Sequence, residues 1–326
     1  MKIPYFDFRA PSTLEEALSI MDDYKGGARV LAGGTDLIPI MKYGLDAPDT
    51  IMSLKKITDL RGIKLENKEI NIGAMTPLAD LLSSHIIKEN LRALHQAVEA
   101  VAAPPIWNVA TIGGNICQNS RCFYYNQSKT WRIERPPCLK AGGNACHAVP
   151  KGKKCFSVYS GDLAPALIAL KSSVFVERKG RSRILSLQNI FSGNGTAPFT
   201  LEKEELLTSI IVPLPDKGTG SSYVKMRFRP SVDYPLLSVA ASVSLDGSKK
   251  IKETTLVLGA VGPAPVVVAA AGKLLRGGTK DTVDFDALGE ILRKGTQMVD
   301  NLALPGSYRR KMIPVIAKKA IRAAIE

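Results

Sequence analysis

The chain has 326 residues, of which 45% are hydrophobic and 23% are charged. This composition is ordinary for a globular protein, and the length suits two or three domains. Lysine and arginine exceed the acidic residues by 14, yet no nucleic-acid-binding motif or membrane-spanning apolar run accompanies that excess. We therefore predict no nucleic-acid or membrane partner. The N-terminal segment is too short and polar for a signal peptide, which predicts a cytoplasmic protein.

The first hundred residues alternate helix and strand signals. Helices are predicted to begin at 11–18 with Ser12 or Thr13 as cap, near Leu37, and at 76–82 with Thr76 as cap and Pro77 at the first position. A further helix is predicted over 90–101, where apolar residues recur on one face. Short strands are predicted at 29–32, 51–54 and 69–73.

The second half of the chain resumes with an apolar element at 163–170. Strands are predicted at 173–178, 183–187 and 210–214, followed by the turn-rich segment 215–220. We interpret that segment as a linker between a domain at 1–217 and a domain at 220–326. The second domain is predicted to contain strands at 222–229, 238–245 and 254–261 and a final helix at 308–326.

Two glycine turns are typical of phosphate binding. The first, at 32–36, follows a strand and opens a helix, and the second lies at 111–115. Glycine permits close backbone approach and positive φ, so that free N–H groups can face an anion. Each turn alone is at least as consistent with an ordinary Gly-Gly turn. As a pair in one domain, they suggest one pyrophosphate held from two sides.

Five cysteines are present, and four of them lie between residues 118 and 160 in polar surroundings: Cys122, Cys138, Cys146 and Cys155. Clustered thiols in a reducing compartment favour a metal or cluster site. The intervals between successive cysteines are fifteen, seven and eight residues, which are too long for a zinc site built on close cysteine pairs. Zinc nevertheless stays open as the metal that these cysteines bind. Cys117 ends the apolar, strand-like run 112–117 and is predicted to be a buried thiol without ligand function.

The same segment holds eight lysines and arginines against one acid, Glu134, and so carries about half of the net charge. Three explanations fit this excess. The segment is a solvated face, a docking face for an acidic partner, or a source of positive charge that compensates an anionic thiolate cluster.

The two glycine turns, their spacing and the segments 72–76, 161–167, 223–225 and 308–310 together resemble one family. That family comprises the FAD-binding medium subunits of the xanthine oxidase and carbon monoxide dehydrogenase group. The resemblance covers nearly the whole chain. It implies an α+β protein with an FAD-binding domain of two α/β lobes (PCMH-type), followed by a smaller α+β C-terminal domain.

The segment 118–160 is an insertion relative to most members of that family. In this respect the chain resembles the β subunits of 4-hydroxybenzoyl-CoA reductases, whose insertion holds a 4Fe-4S cluster. The resemblance implies that the four clustered cysteines are the cluster ligands. Tyr124 and Tyr125 then line the path from cluster to flavin or simply pack the loop.

The resemblance also implies how FAD sits. Asp162 would accept hydrogen bonds from cofactor hydroxyls, although it equally suits a helix cap. Leu207 would pack on a ring face or belong to the core, and Lys225 would lie near the flavin or on the surface. The cofactor-binding residues would be Arg29, Val30, Leu31, Ala32, Gly33, Gly34, Thr35, Asp36, Val101, Thr111, Ile112, Gly113, Gly114, Asn115, Asp162, Leu207 and Lys225.

The implied function is electron transfer within a larger oxidoreductase, without a catalytic residue in this chain. Electrons from a low-potential donor such as ferredoxin would pass through FAD, the 4Fe-4S cluster and a 2Fe-2S small subunit to a molybdopterin-containing large subunit. There the phenolic hydroxyl of a 4-hydroxybenzoyl-CoA-like substrate would be removed, in anaerobic aromatic degradation. The family suggests a heterohexamer.

Three alternatives stay open. The chain is the flavin subunit of another hydroxylase or dehydrogenase of the family, a free-standing NAD(P)H-dependent flavoprotein, or a zinc-stabilised binding module. The sequence shows no second dinucleotide motif for a nicotinamide.

Overall fold

The computed structural model describes residues 3–326. Met1 and Lys2, which belong to the N-terminal segment discussed above, lie outside the described residues. Residues 3–326 form twelve strands and twelve α-helices. The strands are β1 (Asp7–Arg9), β2 (Ala28–Leu31), β3 (Thr50–Ser53), β4 (Ile63–Glu66), β5 (Glu69–Gly73), β6 (Ser173–Arg178), β7 (Arg181–Ser186), β8 (Leu206–Pro213), β9 (Thr219–Met226), β10 (Leu237–Leu245), β11 (Ile251–Gly259) and β12 (Val266–Val267). The helices are α1 (Leu14–Asp23), α2 (Leu37–Lys42), α3 (Leu78–Ser83), α4 (His85–Asn90), α5 (Arg92–Glu99), α6 (Pro104–Trp107), α7 (Ile112–Ile116), α8 (Lys129–Ile133), α9 (Leu163–Ala169), α10 (Ala269–Leu275), α11 (Phe285–Lys294) and α12 (Gly306–Ile325).

The N-terminal lobe is built on a small parallel sheet with strand order β1-β3-β2. Helix α1 packs on it through buried Ala17, Leu18 and Met21. The helix begins where the sequence predicts, because Thr13 Oγ1 accepts the Glu16 N–H at 3.1 Å and the Glu16 carboxylate accepts the Ser12 N–H at 2.8 Å. This reciprocal capping satisfies N–H groups that a helix start leaves free.

The second lobe is a five-stranded antiparallel sheet with strand order β4-β5-β8-β6-β7. Its apolar face packs against α3, α5, α7 and α9 in the main core. Helix α9 is buried along its whole length, so the segment just before it is held firmly in the middle of the domain.

The C-terminal domain is a four-stranded antiparallel sheet, β12-β11-β10-β9, that buries both faces. Alternate residues of a strand point to opposite faces. Ala240 and Val257 accordingly join the main core beside α5 and α9, whereas Val239 and Ala241 pack under α12. The two domains are therefore packed through the sheet itself.

The predicted α+β architecture is confirmed, and three local expectations are corrected. The run 112–117 is a helix, not a strand, because Thr111 caps it through the Gly114 N–H. Helix α3 starts at Leu78 with Pro77 at the cap position, while Thr76 bonds Gly62. The helical stretch 90–101 is interrupted at Leu91. Among residues 3–326, no helix combines the length and apolarity needed to cross a membrane.

Candidate functional site

A cleft lies where the two lobes meet the C-terminal domain. It encloses about 820 Å³ of empty space, part of it open to solvent. The lining combines polar groups with small apolar side chains, as ligand sites usually do. The lining residues are Thr35, Asp36, Val101, Ala102, Ile106, Ala110, Gly114, Asn115, Gln118, Ser160, Asp162, Arg229, Val232, Asp233 and Tyr234.

The first glycine turn reaches this cleft with unused donors. Within residues 3–326, the backbone N–H groups of Gly33, Gly34, Thr35 and Asp36 have no protein acceptor. Gly34 has φ +75, which favours glycine. A Cβ at Gly33 would lie 1.9 Å from the Val109 carbonyl oxygen, so only glycine lets these two segments touch. The turn therefore offers a set of N–H donors beside Thr35 and Asp36.

The second glycine turn is arranged differently. Its N–H groups donate to protein oxygens, namely Ile112 to Thr76 O, Gly113 to Ala74 O, Gly114 to Thr111 Oγ1 and Asn115 to Thr111 O. A Cβ at Gly113 would lie 2.8 Å from the Ala74 Cβ, which accounts for glycine there. At the cleft this turn presents Gly114 and the Asn115 side chain, whose Oδ1 accepts the Leu163 N–H at 3.3 Å.

Asp162 is the buried acid at the base of the cleft. Its carboxylate accepts the Tyr223 hydroxyl at 2.6 Å and pairs with Lys225 Nζ at 2.9 Å. Lys225 Nζ also donates to the carbonyls of Ala100 and Asp233, at 2.8 and 2.9 Å. Burial raises the pKa of Asp162 and lowers the pKa of Lys225, and their mutual attraction opposes both shifts. This pair joins both domains beneath the cleft.

The connection between β9 and β10 closes one side of the cleft. It spans 227–236 and contributes Arg229, Val232, Asp233 and Tyr234 to the lining. Arg121 joins it to the first turn, because its guanidinium lies 4.1 Å from the Tyr234 ring centre and 3.9 Å from Asp36 Oδ1. Sequence reasoning missed these residues. The available signal was a ten-residue connection between adjacent antiparallel strands, which contains Pro230 and Pro235 and is much longer than a tight hairpin.

The inserted segment 118–160 leaves and returns to the domain at one point. Arg121 and Val158 exchange two backbone hydrogen bonds of 2.7 Å at its base. Asn301 of the C-terminal domain also binds the segment, since its carbonyl accepts the Phe123 N–H at 2.8 Å and its side chain donates to Phe156 O at 2.5 Å. The segment is thus anchored to both domains, although it contains only one short α-helix, α8.

All four clustered cysteines line one small pocket inside this segment, with about 280 Å³ of empty space: Cys122, Cys138, Cys146 and Cys155. Burial, together with the proximity of the Cys155 and Cys138 thiols, raises the pKa of Cys122 to about 11. No group of three or more His, Cys, Asp or Glu within residues 3–326 has the geometry to hold a single metal ion. The thiols share a pocket without converging on one point.

Lys140 lies between the thiol pocket and the cleft. Its Nζ donates to Asn119 Oδ1 at 2.8 Å, Ser120 Oγ at 2.6 Å and Gly195 O at 2.8 Å. Burial lowers the pKa of Lys140 to about 8, while negative charge on the neighbouring cysteines and Asp36 acts in the opposite direction. No local pattern distinguishes this lysine from the more exposed lysines of the same basic segment.

Comparison with known proteins assigns the chain to a family. Residues 4–215 match the family described as the FAD binding domain in molybdopterin dehydrogenase. The chain belongs to this flavoprotein family. Residues 221–324 of the flavoprotein match the CO dehydrogenase flavoprotein C-terminal domain.

Relatives of known activity span nearly the whole flavoprotein. The FAD subunit of nicotinate dehydrogenase from Eubacterium barkeri is 25% identical over 316 residues, which cover 96% of this chain and 94% of the relative. The medium chain of carbon monoxide dehydrogenase from Afipia carboxidovorans is 28% identical over 320 residues, which cover 98% of this chain and 96% of the relative. The flavoprotein is therefore the FAD subunit of a molybdenum hydroxylase-family dehydrogenase.

The solved structures agree with this assignment. Reconstituted CO dehydrogenase from Oligotropha carboxidovorans contains a chain that superposes with a TM-score of 0.82 at 26% identity, covering 100% of this chain and 99% of that one. A chain of CO dehydrogenase from Hydrogenophaga pseudoflava lacking the Mo-pyranopterin moiety superposes with a TM-score of 0.81 at 25% identity. The match covers 99% of this chain and 98% of that one.

The predicted flavin residues occupy different positions around the cleft of the flavoprotein. Six line it directly: Thr35, Asp36, Val101, Gly114, Asn115 and Asp162. The residues 29–32 belong to or directly follow strand β2, where Arg29 pairs with Asp46 at 2.8 Å. Gly33, Gly34, Ile112 and Gly113 lie behind the lining and shape the two turns. Lys225 reaches the cleft only through Asp162.

Leu207 and Cys117 line neither the cleft nor the thiol pocket. Leu207 is 5% exposed and belongs to the main core on strand β8, away from the cleft lining. The expectation that Cys117 is a buried thiol is wrong, because it follows the last turn of α7 and is exposed. Cys117 also lies outside the thiol pocket, whose lining contains only the other four cysteines.

Proposed function

We propose that the flavoprotein is the FAD and 4Fe-4S subunit of a molybdenum-containing 4-hydroxybenzoyl-CoA reductase. The observation that carries this proposal is the single pocket lined by all four cysteines of the insertion. Four cysteine thiolates are the usual ligand set of a 4Fe-4S cluster. The family alone would account for the flavin cleft, but it does not account for a pocket of four thiols.

The proposal distinguishes a cluster from a single ion by the number of metal atoms that the four thiols would bind. A tetrahedral zinc site with Zn–S bonds of about 2.3 Å holds its sulfurs about 3.8 Å apart. The described residues contain no group arranged in this way. The ligands of a 4Fe-4S cluster bind four different irons, so their sulfurs surround a larger object. The four thiols lie around one pocket, as the four separate iron ligands of such a cluster would.

The chain's own residues define how FAD would be held. When bound, FAD exchanges both two-electron and one-electron equivalents. The free N–H groups at 33–36 suit a pyrophosphate. Asn115 and Asp162 line the same cleft, and a carboxylate has lone pairs beyond those used by Tyr223 and Lys225. We expect the second turn to contribute close approach and the Asn115 side chain, because its N–H groups are already used.

The basic surface of the insertion suits an electron donor of acidic character. Charge complementarity of this kind accelerates encounter. Lys129, Arg135, Lys151, Lys153 and Lys154 are all exposed around the thiol pocket. We propose a low-potential donor such as ferredoxin at this face, and a molybdopterin large subunit and a 2Fe-2S small subunit as partners. The free thiols of the chain are consistent with a cytoplasmic location.

The proposed overall reaction is balanced by two electrons and two protons. The phenolic C–O bond of 4-hydroxybenzoyl-CoA breaks, a C–H bond forms in its place, and the oxygen leaves as water. The donor is oxidised by two electrons. The residues of this chain do not touch that substrate, and their part is to hold and position the redox groups.

The test is anaerobic purification of the complex, with quantification of iron, acid-labile sulfide and FAD and EPR after reduction. Cys138→Ser is expected to lose cluster iron and keep FAD, whereas the matched control Cys117→Ser should keep both. Reduction of 4-hydroxybenzoyl-CoA by the intact complex with a chemically reduced ferredoxin tests the substrate. An oxygen-free, yellow, iron-free wild type would refute the cluster, and zinc without iron would assign the pocket to zinc.

A second candidate is a flavin subunit of another hydroxylase or dehydrogenase of the family. The relatives favour it, because they include subunits named for nicotinate, carbon monoxide, glyceraldehyde and xanthine dehydrogenases. A complex that contains the iron–sulfur cluster but fails to reduce 4-hydroxybenzoyl-CoA would select this candidate.

A further inference from the structure

A continuous series of contacts connects the thiol pocket with the cleft through one partly buried lysine, Lys140. Cys155 Sγ lies 3.3 Å from Ser157 Oγ, which lies 3.4 Å from Lys140 Nζ. Lys140 Nζ donates to Asn119 Oδ1 at 2.8 Å. The Asn119 N–H in turn donates to Asp36 Oδ2 at 3.1 Å, and Asp36 lines the cleft.

Lys140 is unlike the other lysines of the insertion. Lys151, Lys153 and Lys154 are exposed, whereas Lys140 lines the thiol pocket itself. Its ammonium also donates to Ser120 Oγ and Gly195 O, so its position is fixed by groups on three separate segments. A charge that is fixed and partly shielded from water is screened less than the exposed charges, which solvent and salt screen strongly.

We propose that Lys140 is a positioning residue that places one positive charge between the two redox sites and favours reduction at both. This inference rests on the proposed cluster function. Adding an electron to the cluster adds negative charge beside this cation, which stabilises the reduced form. The contacts through Asn119 and Asp36 place the same charge on one side of the cleft that would hold FAD. The electron comes from the external donor. Lys140 itself exchanges neither electrons nor protons in this step.

Asp36 does not draw the Lys140 ammonium towards the cleft. Asp36 is held by the Asn119 N–H and faces Arg121 at 3.9 Å, so a second cation already partners it. Lys140 therefore remains directed towards the serine hydroxyls and the thiols. The face of the Tyr125 ring, 5.4 Å from the ammonium, covers another side.

The experiment compares Lys140→Gln with Lys140→Arg and with Lys153→Gln, an exposed lysine of the same segment. Each complex is assayed for iron, sulfide and FAD, and is then titrated anaerobically with EPR and visible absorbance to give the potentials of the cluster and the flavin. Lys140→Gln should disfavour reduction about tenfold at each centre, about 59 mV for a one-electron couple. Lys140→Arg should restore most of the shift, and Lys153→Gln should leave both potentials unchanged.

Unchanged potentials in a fully loaded Lys140→Gln complex would overturn the inference. If Lys140→Gln loses iron, its flavin potential is compared with that of iron-free Cys138→Ser, and the inference still requires the more negative value in Lys140→Gln. Failure of Lys140→Arg to restore the potentials would also contradict it. A wild type without iron would refute the proposed cluster instead, while the flavin potentials of the same variants would continue to test the lysine.

Discussion

Lys225→Met removes the cation from the most buried ion pair beneath the flavin cleft. The side chains of Lys225 and Asp162 are only 3% and 7% exposed, and Nζ lies 2.9 Å from the carboxylate. The same ammonium satisfies the carbonyls of Ala100 and Asp233. Methionine fills similar space but leaves all three acceptors without this donor, and one of them carries charge.

Breaking a buried pair by removing one partner costs about 3–5 kcal/mol, because the remaining charge stays desolvated. A matched control is Lys171→Met, which breaks a pair with Glu253 of similar length, 2.7 Å, whose side chains are 57% and 59% exposed. An exposed pair of this kind contributes about 0–1 kcal/mol. Urea unfolding followed by circular dichroism, with FAD release measured in parallel, gives the free energy of unfolding of both variants.

The penalty in Lys225→Met should depend on pH. Burial raises the pKa of Asp162 above its ordinary value of 3.8, and loss of the lysine removes a charge that opposes this rise. The folded variant then binds more protons than the unfolded chain, so its stability falls as pH rises from about 4 through the raised folded pKa. Acidification should therefore reduce the difference from wild type. A penalty below about 1 kcal/mol, or one that is independent of pH, would refute this account of the pair.

Two further substitutions test the cleft and the insertion. Gly33→Ala places a Cβ 1.9 Å from Val109 O, so it should cost about 1–3 kcal/mol and weaken FAD retention, while Gly247→Ala, with open space around it, should do neither. Normal flavin content in Gly33→Ala would contradict the required close approach. Asn301→Ala removes the donor to Phe156 O and should cost about 1–3 kcal/mol, with faster proteolysis of the 118–160 segment. Unchanged cleavage rates would show that the hydrogen bond from Asn301 to Phe156 O does not hold the 118–160 segment in place.

Local signals in the sequence predicted most of the secondary structure. Strands β5 and β6 have the predicted bounds, and Thr13 caps α1 as expected. These features depend on residues close together in the chain, so alternation and capping patterns report them. The helix α7 was missed because its two glycines and its length of five residues obscure any helical period.

The composition of the site was predictable only in part, since its remaining members come together through tertiary contacts. The glycine turns were recognisable because their backbone conformations require glycine, whereas Asp162 was predicted from the family resemblance. Val232 and Tyr234 reach the cleft from the other domain, and no local pattern links them to it. The burial of Lys140 likewise depends on Gly195, which is far away in the chain.

The paired stems of the insertion suggest how such a segment can be acquired. Two backbone hydrogen bonds join Arg121 and Val158 at the base of the segment. The positions of these two residues in the domain therefore depend little on the length of the loop between them. Lengthening a loop whose ends are already fixed has only a modest entropic cost. The length of the segment 118–160 can therefore change while the geometry of the glycine turns on either side of the cleft stays the same.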